Sequence, residues 1–137
     1  MERVKMMKMR RLVVFLLAIM PLQSLFAHHS GAMFEYRKVV EVTGVVKEFQ
    51  YTNPHSWLLV DVTNEDGSVT TWGFEAEGPS TLMRAGIRKG DLPPGTEITI
   101  RGNPMKDGRS AGAWIDAVVD GKTINPRNGF AVIPAKE

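Results

Sequence analysis

The chain has 137 residues and no cysteine, with 17 Lys+Arg against 15 Asp+Glu for a formal net charge of +2. Disulfide frameworks and thiolate metal sites are therefore excluded, so the fold rests on packing, and any metal must sit on nitrogen and oxygen donors with methionine as the one sulfur alternative. The charge is unevenly placed: residues 1–27 hold five of the basic residues and one acidic residue, leaving 12 against 14, a net −2, for the remaining 110. The basic excess belongs to the first segment and gives no electrostatic footprint for nucleic acid.

That first segment reads as an export signal. Arg3, Lys5, Lys8, Arg10 and Arg11 form a basic head, Leu12 to Met20 is an unbroken apolar run, Pro21 ends it, and Ala27 offers a small residue for cleavage. The run is shorter than the roughly 20 apolar residues that span a bilayer, which favours a cleaved signal over an anchor. There is no cysteine to acylate. Leu25 stands three residues before the cut, where a small residue is usual. The expected product is periplasmic or secreted, has no stable membrane anchor, and begins at His28. Five of the eight methionines (Met1, Met6, Met7, Met9, Met20) leave with the signal, so methionine content is no argument for a metal carrier.

After an N-terminal segment over 28–38, a single domain is expected over 39–124, followed by a tail over 125–137. Its pattern is mostly of period two. Val39 to Tyr51 reads as a long first strand in which Gly44 interrupts the β-branched residues and marks a bend that lets one strand serve two sides of a barrel. Ser56 to Thr63 is the second strand, Asn64-Glu65-Asp66-Gly67 a hairpin turn, and Ser68 to Glu75 the returning third strand. Between Gly78 and Gly86 the signals change: Pro79 suits a first helical turn, Leu82, Met83 and Ile87 give a narrow apolar stripe, and Gly86 closes the end. Leu92-Pro93-Pro94-Gly95 leads into a fourth strand over Thr96 to Arg101, and Lys106-Asp107-Gly108-Arg109 turns the chain into a fifth over Ala113 to Asp120. Gly121 to Ile124 adds a small edge strand, and the proline-rich tail reads as loosely held, with Phe130, Val132 and Ile133 available to lie across the barrel.

Three strands, a short helix and two more strands is the order of an all-β, OB-like five-stranded Greek-key barrel with its helix between strands three and four. A plain antiparallel sandwich would place no helix there. The fold alone assigns no activity, since such barrels bind oligonucleotides, sugars, metals or proteins.

With the hairpin turn centred between Glu65 and Asp66, Trp57 pairs with Phe74 and Leu59 with Trp72 on one face, while Leu58, Val60 and Val62 form an aliphatic core face. His55 shares the parity of Trp57. This predicts a ligand or partner face of Trp57, Trp72 and Phe74 on the strands where OB barrels usually receive ligands. The same three aromatics also fit as large residues simply covered by the N-terminal segment or the tail. Trp114 reads as core.

The mature chain has three histidines, His28, His29 and His55. Imidazole is the commonest metal ligand, and nitrogen-only ligation suits Cu(II), with zinc or nickel behind it. A first-residue His28 chelates through its amine and ring together, and His55, in the Thr52-Asn53-Pro54-His55 loop, supplies a third nitrogen for a T-shaped histidine brace. His29 is an alternative ligand through its ring and the intervening amide, and Met33 or Glu35 a fourth. The same histidines also fit a solvated chain end and a loop residue bonded within its own turn.

Catalysis finds no support. There is no nucleophile motif, no glycine-rich phosphate loop and no His/carboxylate pair at metalloprotease spacing, and Glu75 and Glu77 at the strand exit read as solvated charges.

Through Ala27-His28-His29-Ser30, Gly44-Val45-Val46, Thr52-Asn53-Pro54-His55-Ser56-Trp57, Trp72-Gly73-Phe74-Glu75 and Pro94-Gly95-Thr96, the chain resembles a family of small exported bacterial proteins, domain of unknown function 6152. The resemblance spans nearly the whole mature chain. It implies an exported single-domain OB-like barrel with no established activity, and both histidine motifs belong to its pattern. Gly31-Ala32-Met33-Phe34 departs from it, where more aromatic or acidic character is expected. Two readings remain open: a periplasmic metal-binding protein using His28, His29 and His55 with copper as cofactor, and a metal-free module that presents Trp57, Trp72 and Phe74 to a protein or small-molecule partner.

Overall fold

The computed structural model describes residues 31–127 and 129–131. From Met33 onward the chain forms a compact unit built of strands β1 (Val40–Gln50), β2 (His55–Thr63), β3 (Val69–Glu77), β4 (Glu97–Pro104), β5 (Ala111–Val119), β6 (Lys122–Asn125) and β7 (Gly129–Ala131). A single α-helix, α1 (Pro79–Arg84), lies between β3 and β4. The antiparallel order β3-β2-β1-β4-β5 is closed by a parallel pairing of β3 with β5, which makes a five-stranded OB-type barrel.

β1 is shared between two neighbours. Val40 to Val45 pair with β4, and Val45 to Gln50 pair with β2, with a bulge between Val46 and Glu48. Gly44 sits at the changeover because nothing larger fits: a Cβ there would lie 2.3 Å from the Asp61 carbonyl oxygen and 2.9 Å from Val60. The bend expected at Gly44 is thus a close approach of β1 to β2.

The β2–β3 hairpin corrects the expected register. Asn64 and Ser68 close the turn, with the Asn64 N–H donating to the Ser68 carbonyl at 2.8 Å and the Gly67 N–H to the Asn64 carbonyl at 2.9 Å. The loop is therefore Glu65, Asp66 and Gly67, three residues rather than two, with Gly67 left-handed at φ 81°. The odd count moves every pair by one: Leu58 opposes Phe74, Val60 opposes Trp72, and Trp57 opposes Glu75. Because side chains alternate, Phe74 and Trp72 turn inward. Phe74 is fully buried with Leu58 and Val60, and Trp72 stacks on it at 6.0 Å between ring centres. Trp57 stays outside, so the proposed face of Trp57, Trp72 and Phe74 does not exist as one surface.

The helix plugs one end of the barrel with Leu82, and its end is a Schellman motif. The Ile87 N–H donates to the Leu82 carbonyl and the Gly86 N–H to the Met83 carbonyl, which brings Leu82 and Ile87, both fully buried, together. Met83, expected on that stripe, is exposed instead. The Tyr51 hydroxyl reaches the carbonyl oxygens of Pro79 (3.1 Å) and Ile87 (2.9 Å) and ties both ends of the helix region to β1. Burial, and then Asp91, holds that phenol above its usual range, with Arg88 opposing. Beyond β5 the chain does more than the single edge strand expected: β6 pairs with β5, and β7, in the segment expected to be loose, pairs with β6.

On the outer face, a bulge between Arg101 and Gly102 sets Arg101 against Asp116, whose carboxylate it grips through both Nε (2.7 Å) and a terminal guanidinium nitrogen. In the hairpin, Asp66 is held below the usual carboxylate range by the Ser68 hydroxyl and N–H, and Asp61 by the Thr71 hydroxyl and Lys47.

Two outcomes test this packing. Phe74→Ala should cost about 3–5 kcal/mol in denaturant unfolding, as an emptied core site does, whereas the expected register would make it a mild surface change. Asp61 and Asp66 have folded-state values below their unfolded ones, so their stabilisation is present above the unfolded value, near about 3.9, and is lost as pH falls through the folded values. Thermal midpoints of Asp66→Asn and the wild type should therefore differ at neutral pH and converge in acid.

Candidate functional site

The corrected register moves attention to the outer face of β2 and β3. His55, Trp57, Leu59 and Asp61 lie there on β2, against Glu77, Glu75, Gly73 and Thr71 on β3. Trp57 lies across the backbone at Gly73, where a Cβ would meet its ring at 3.3 Å. Farther along, Lys47 bonds both Asp61 and Thr71.

His55 begins β2 straight after a tight loop. The Asn53–Pro54 peptide is cis, the Thr52 hydroxyl donates to the His55 carbonyl at 3.1 Å, and the Ser56 hydroxyl reaches back toward the Thr52 carbonyl at 3.4 Å. The loop rests on Gly78, the residue between β3 and α1: a Cβ there would be 2.6 Å from the Pro54 carbonyl oxygen and 3.0 Å from Asn53 Oδ1. The Asn-Pro-His motif is thus seated against the start of the helix, which fixes where the imidazole leaves the backbone.

Its ring is fixed as well. His55 Nδ1 bonds Glu75 Oε1, one diagonal step across the two strands. Glu75 is buried although it belongs to the outer face, being 9% exposed, while the His55 side chain is 35% exposed. Its register neighbours are Trp57 on β2 and Ala113 on β5. A carboxylate accepts and cannot donate, so with a carboxylate at Glu75 the bond is donated by His55 Nδ1–H, and in the neutral form of the ring the lone pair is then on Nε2. Among the described residues Nε2 has no hydrogen-bond partner. Metal-ligating histidines generally have their other ring nitrogen bonded to a carboxylate or carbonyl, as His55 Nδ1 is bonded here to Glu75. Glu75, read from sequence as a solvated charge, is the site residue that sequence reasoning missed; the alternation that put His55 and Trp57 on one face would have found it, given the right register.

The other expected ligands fall elsewhere. His28 and His29 lie outside the described residues, as does the segment expected to be an export signal. Met33 and Glu35 are held beside β4: the Lys106 N–H donates to the Met33 carbonyl, the Glu35 N–H to the Pro104 carbonyl, and Phe34 bridges to Met105. Among the described residues no hydrogen bond or ion pair links Met33 or Glu35 to His55. Among the described residues no group of three or more His, Asp or Glu side chains is placed to hold a metal. A groove of about 720 Å³ runs between the end of β1 and the connection to β4, lined by residues such as Phe49, Tyr51, Thr52, Lys89, Leu92 and Pro93, with no histidine among its lining residues.

The fold and this face define a small OB-type barrel carrying a carboxylate-oriented histidine on its outer surface. The chain belongs to the Family of unknown function (DUF6152), whose model matches residues 17–115. No curated protein and no solved structure matches the sequence.

If Glu75 sets the tautomer, Glu75→Ala should shift the His55 ring away from the Nδ1–H form, read from the ring ¹⁵N shifts of labelled protein at neutral to mildly basic pH. Unchanged shifts would mean that the ring is held by something else. Gly78→Ala should cost about 1–3 kcal/mol in unfolding free energy, because the added methyl displaces the Asn53–Pro54 loop.

Proposed function

We propose that this chain is an exported, periplasmic protein that binds a transition metal, Cu(II) foremost, through Nε2 of His55 together with the amine and ring nitrogen of an N-terminal His28, with His29 as the alternative nitrogen donor. The observation that carries the reading is the His55–Glu75 pair: a buried carboxyl group holds Nδ1 of a partly exposed imidazole, and Nε2 is without a hydrogen-bond partner among the described residues. A histidine that only satisfied its own loop would bond Thr52 or Asn53, whereas this one is held from the neighbouring strand.

Ligand chemistry supports copper. The chain has no cysteine, and imidazole with amine nitrogen suits Cu(II) better than the oxygen-seeking divalent ions. Both histidine motifs fall within the stretch matched by the family, residues 17–115. The role is binding rather than catalysis, and no residue is assigned a catalytic part. The metal-free alternative needed Trp57, Trp72 and Phe74 on one surface and is not taken further, because the fold buries Phe74 and separates Trp57 from both.

Calorimetric titration of the mature protein starting at His28 should show uptake of about one Cu(II) per chain, and Glu75→Ala should weaken it by about 10- to 100-fold, as loss of a ligand's supporting hydrogen bond does. His55→Ala, or a methionine kept ahead of His28, should weaken it further. Uptake no tighter than micromolar with the authentic N-terminus would end this reading.

A further inference from the structure

We propose that two copies of this chain pair through the open half of β3, forming a weak two-fold dimer that is independent of the metal reading above. β3 is flanked on both sides along only part of its length. β2 accompanies it from end to end, whereas β5 meets it at Gly73, Phe74 and Glu75 alone, so that among the described residues Val69 to Trp72 have no neighbouring strand on the side away from β2. Two hydrogen bonds fix which backbone groups face that side. The Ser68 carbonyl accepts from the Asn64 N–H on the β2 side at 2.8 Å, and the Gly73 N–H donates to the Ser110 carbonyl on the other side at 3.1 Å. Backbone groups alternate in direction along a strand, so the N–H and C=O of Val69 and Thr71 point away from β2, as the Gly73 N–H does. Nothing in the sequence of this edge discourages pairing. Natural edges are blunted by charge, proline or a bulge, but Ser68, Val69, Thr70, Thr71 and Trp72 include neither a charge nor a proline, and the β2–β3 ladder is unbroken. Val69 leaves 60% of its surface exposed.

A second copy is the occupant that matches this edge. Opposed residues of antiparallel strands exchange both their hydrogen bonds when their backbone groups point at each other, and a two-fold axis at Thr70 sets Val69 against the partner's Thr71 and Thr71 against the partner's Val69. That gives about four backbone hydrogen bonds. It also lays the exposed Val69 beside the partner's Thr71 on one outer face, where opposed side chains meet. Charge agrees with the same register. Each hairpin tip carries Glu65 and Asp66, both exposed, and the antiparallel arrangement points it toward the start of β5 in the other copy. The turn there carries Lys106 and Arg109 against Asp107, with Arg109 exposed two residues ahead of Ala111, the residue opposite Gly73. An acidic tip thus meets a turn of net positive charge, and symmetry repeats the match. The edge is short, so the contact is small and the dimer reversible.

The test is sedimentation equilibrium of the metal-free chain beginning at His28, from about 10 µM to about 1 mM, with amide hydrogen exchange followed at both ends of that range. The expected result is a mass that rises from one chain toward two, while exchange at the Val69 and Thr71 amides slows. Val69→Pro removes an N–H that β2 does not use, so this variant should keep its thermal midpoint and stay a single chain throughout. A wild-type chain that remains single over the whole range overturns the proposal and leaves the edge to a strand from another protein. A dimer that survives in folded Val69→Pro, or one that leaves exchange at Val69 and Thr71 unchanged, forms through another surface and overturns it too. Should Val69→Pro fail to fold, the exchange at those two amides decides by itself.

Discussion

The number of residues in one hairpin loop governs this molecule. β2 and β3 are joined by Glu65, Asp66 and Gly67, and the left-handed glycine at the third position lets three residues close the turn while Asn64 and Ser68 stay bonded. Side chains alternate along a strand, so one residue more or less in that loop exchanges the inner and outer faces of one strand relative to its partner. With three, Phe74 and Trp72 join Leu58 and Val60 inside the barrel, while Glu75 and Gly73 come out beside His55 and Trp57. Core and candidate site are two consequences of the same count.

Closure of the barrel then gives that outer face its chemistry. Gly44 lets β1 pass close enough to β2 to pair with β4 along one half and β2 along the other, and the parallel contact of β3 with β5 completes the ring. The same contact places Ala113 beside Glu75, and the hairpin places Trp57 across from it. A carboxylate taken out of water needs a hydrogen-bonded partner, and His55 Nδ1 supplies it. A charge set on an otherwise ordinary sheet surface thereby becomes the element that orients the imidazole. Gly78, pressed against Pro54 and Asn53, does the matching job for the backbone of the loop.

Much of the architecture was legible along the chain. The hairpin between the second and third strands, the helix opened by Pro79 and closed at Gly86, and the strand that changes partners at Gly44 each carry local signals: turn residues, a capping glycine, a break among β-branched residues. The closed barrel follows from their order. His55 was legible as a candidate because a histidine after Asn-Pro is held in a set direction. Phe74 was misplaced because the turn sequence Asn64-Glu65-Asp66-Gly67 fits both a two-residue and a three-residue loop, and only the backbone conformation at Gly67 distinguishes them. The pairing of β7 with β6 was missed because three residues, Gly129–Ala131, are too few to show a period.

By itself the sequence determined what depends on neighbours a few positions apart: the element order, the bend, the helix ends, the exclusion of thiolate chemistry, and the identity of the three histidines that any nitrogen-ligated site could use. Only the tertiary structure decided which face each strand shows and that Glu75, twenty residues from His55, is the group that holds it. The physical reason is that alternation along a strand is a local property, whereas its phase relative to the partner strand is set by how the turn folds and by the closure of the whole barrel.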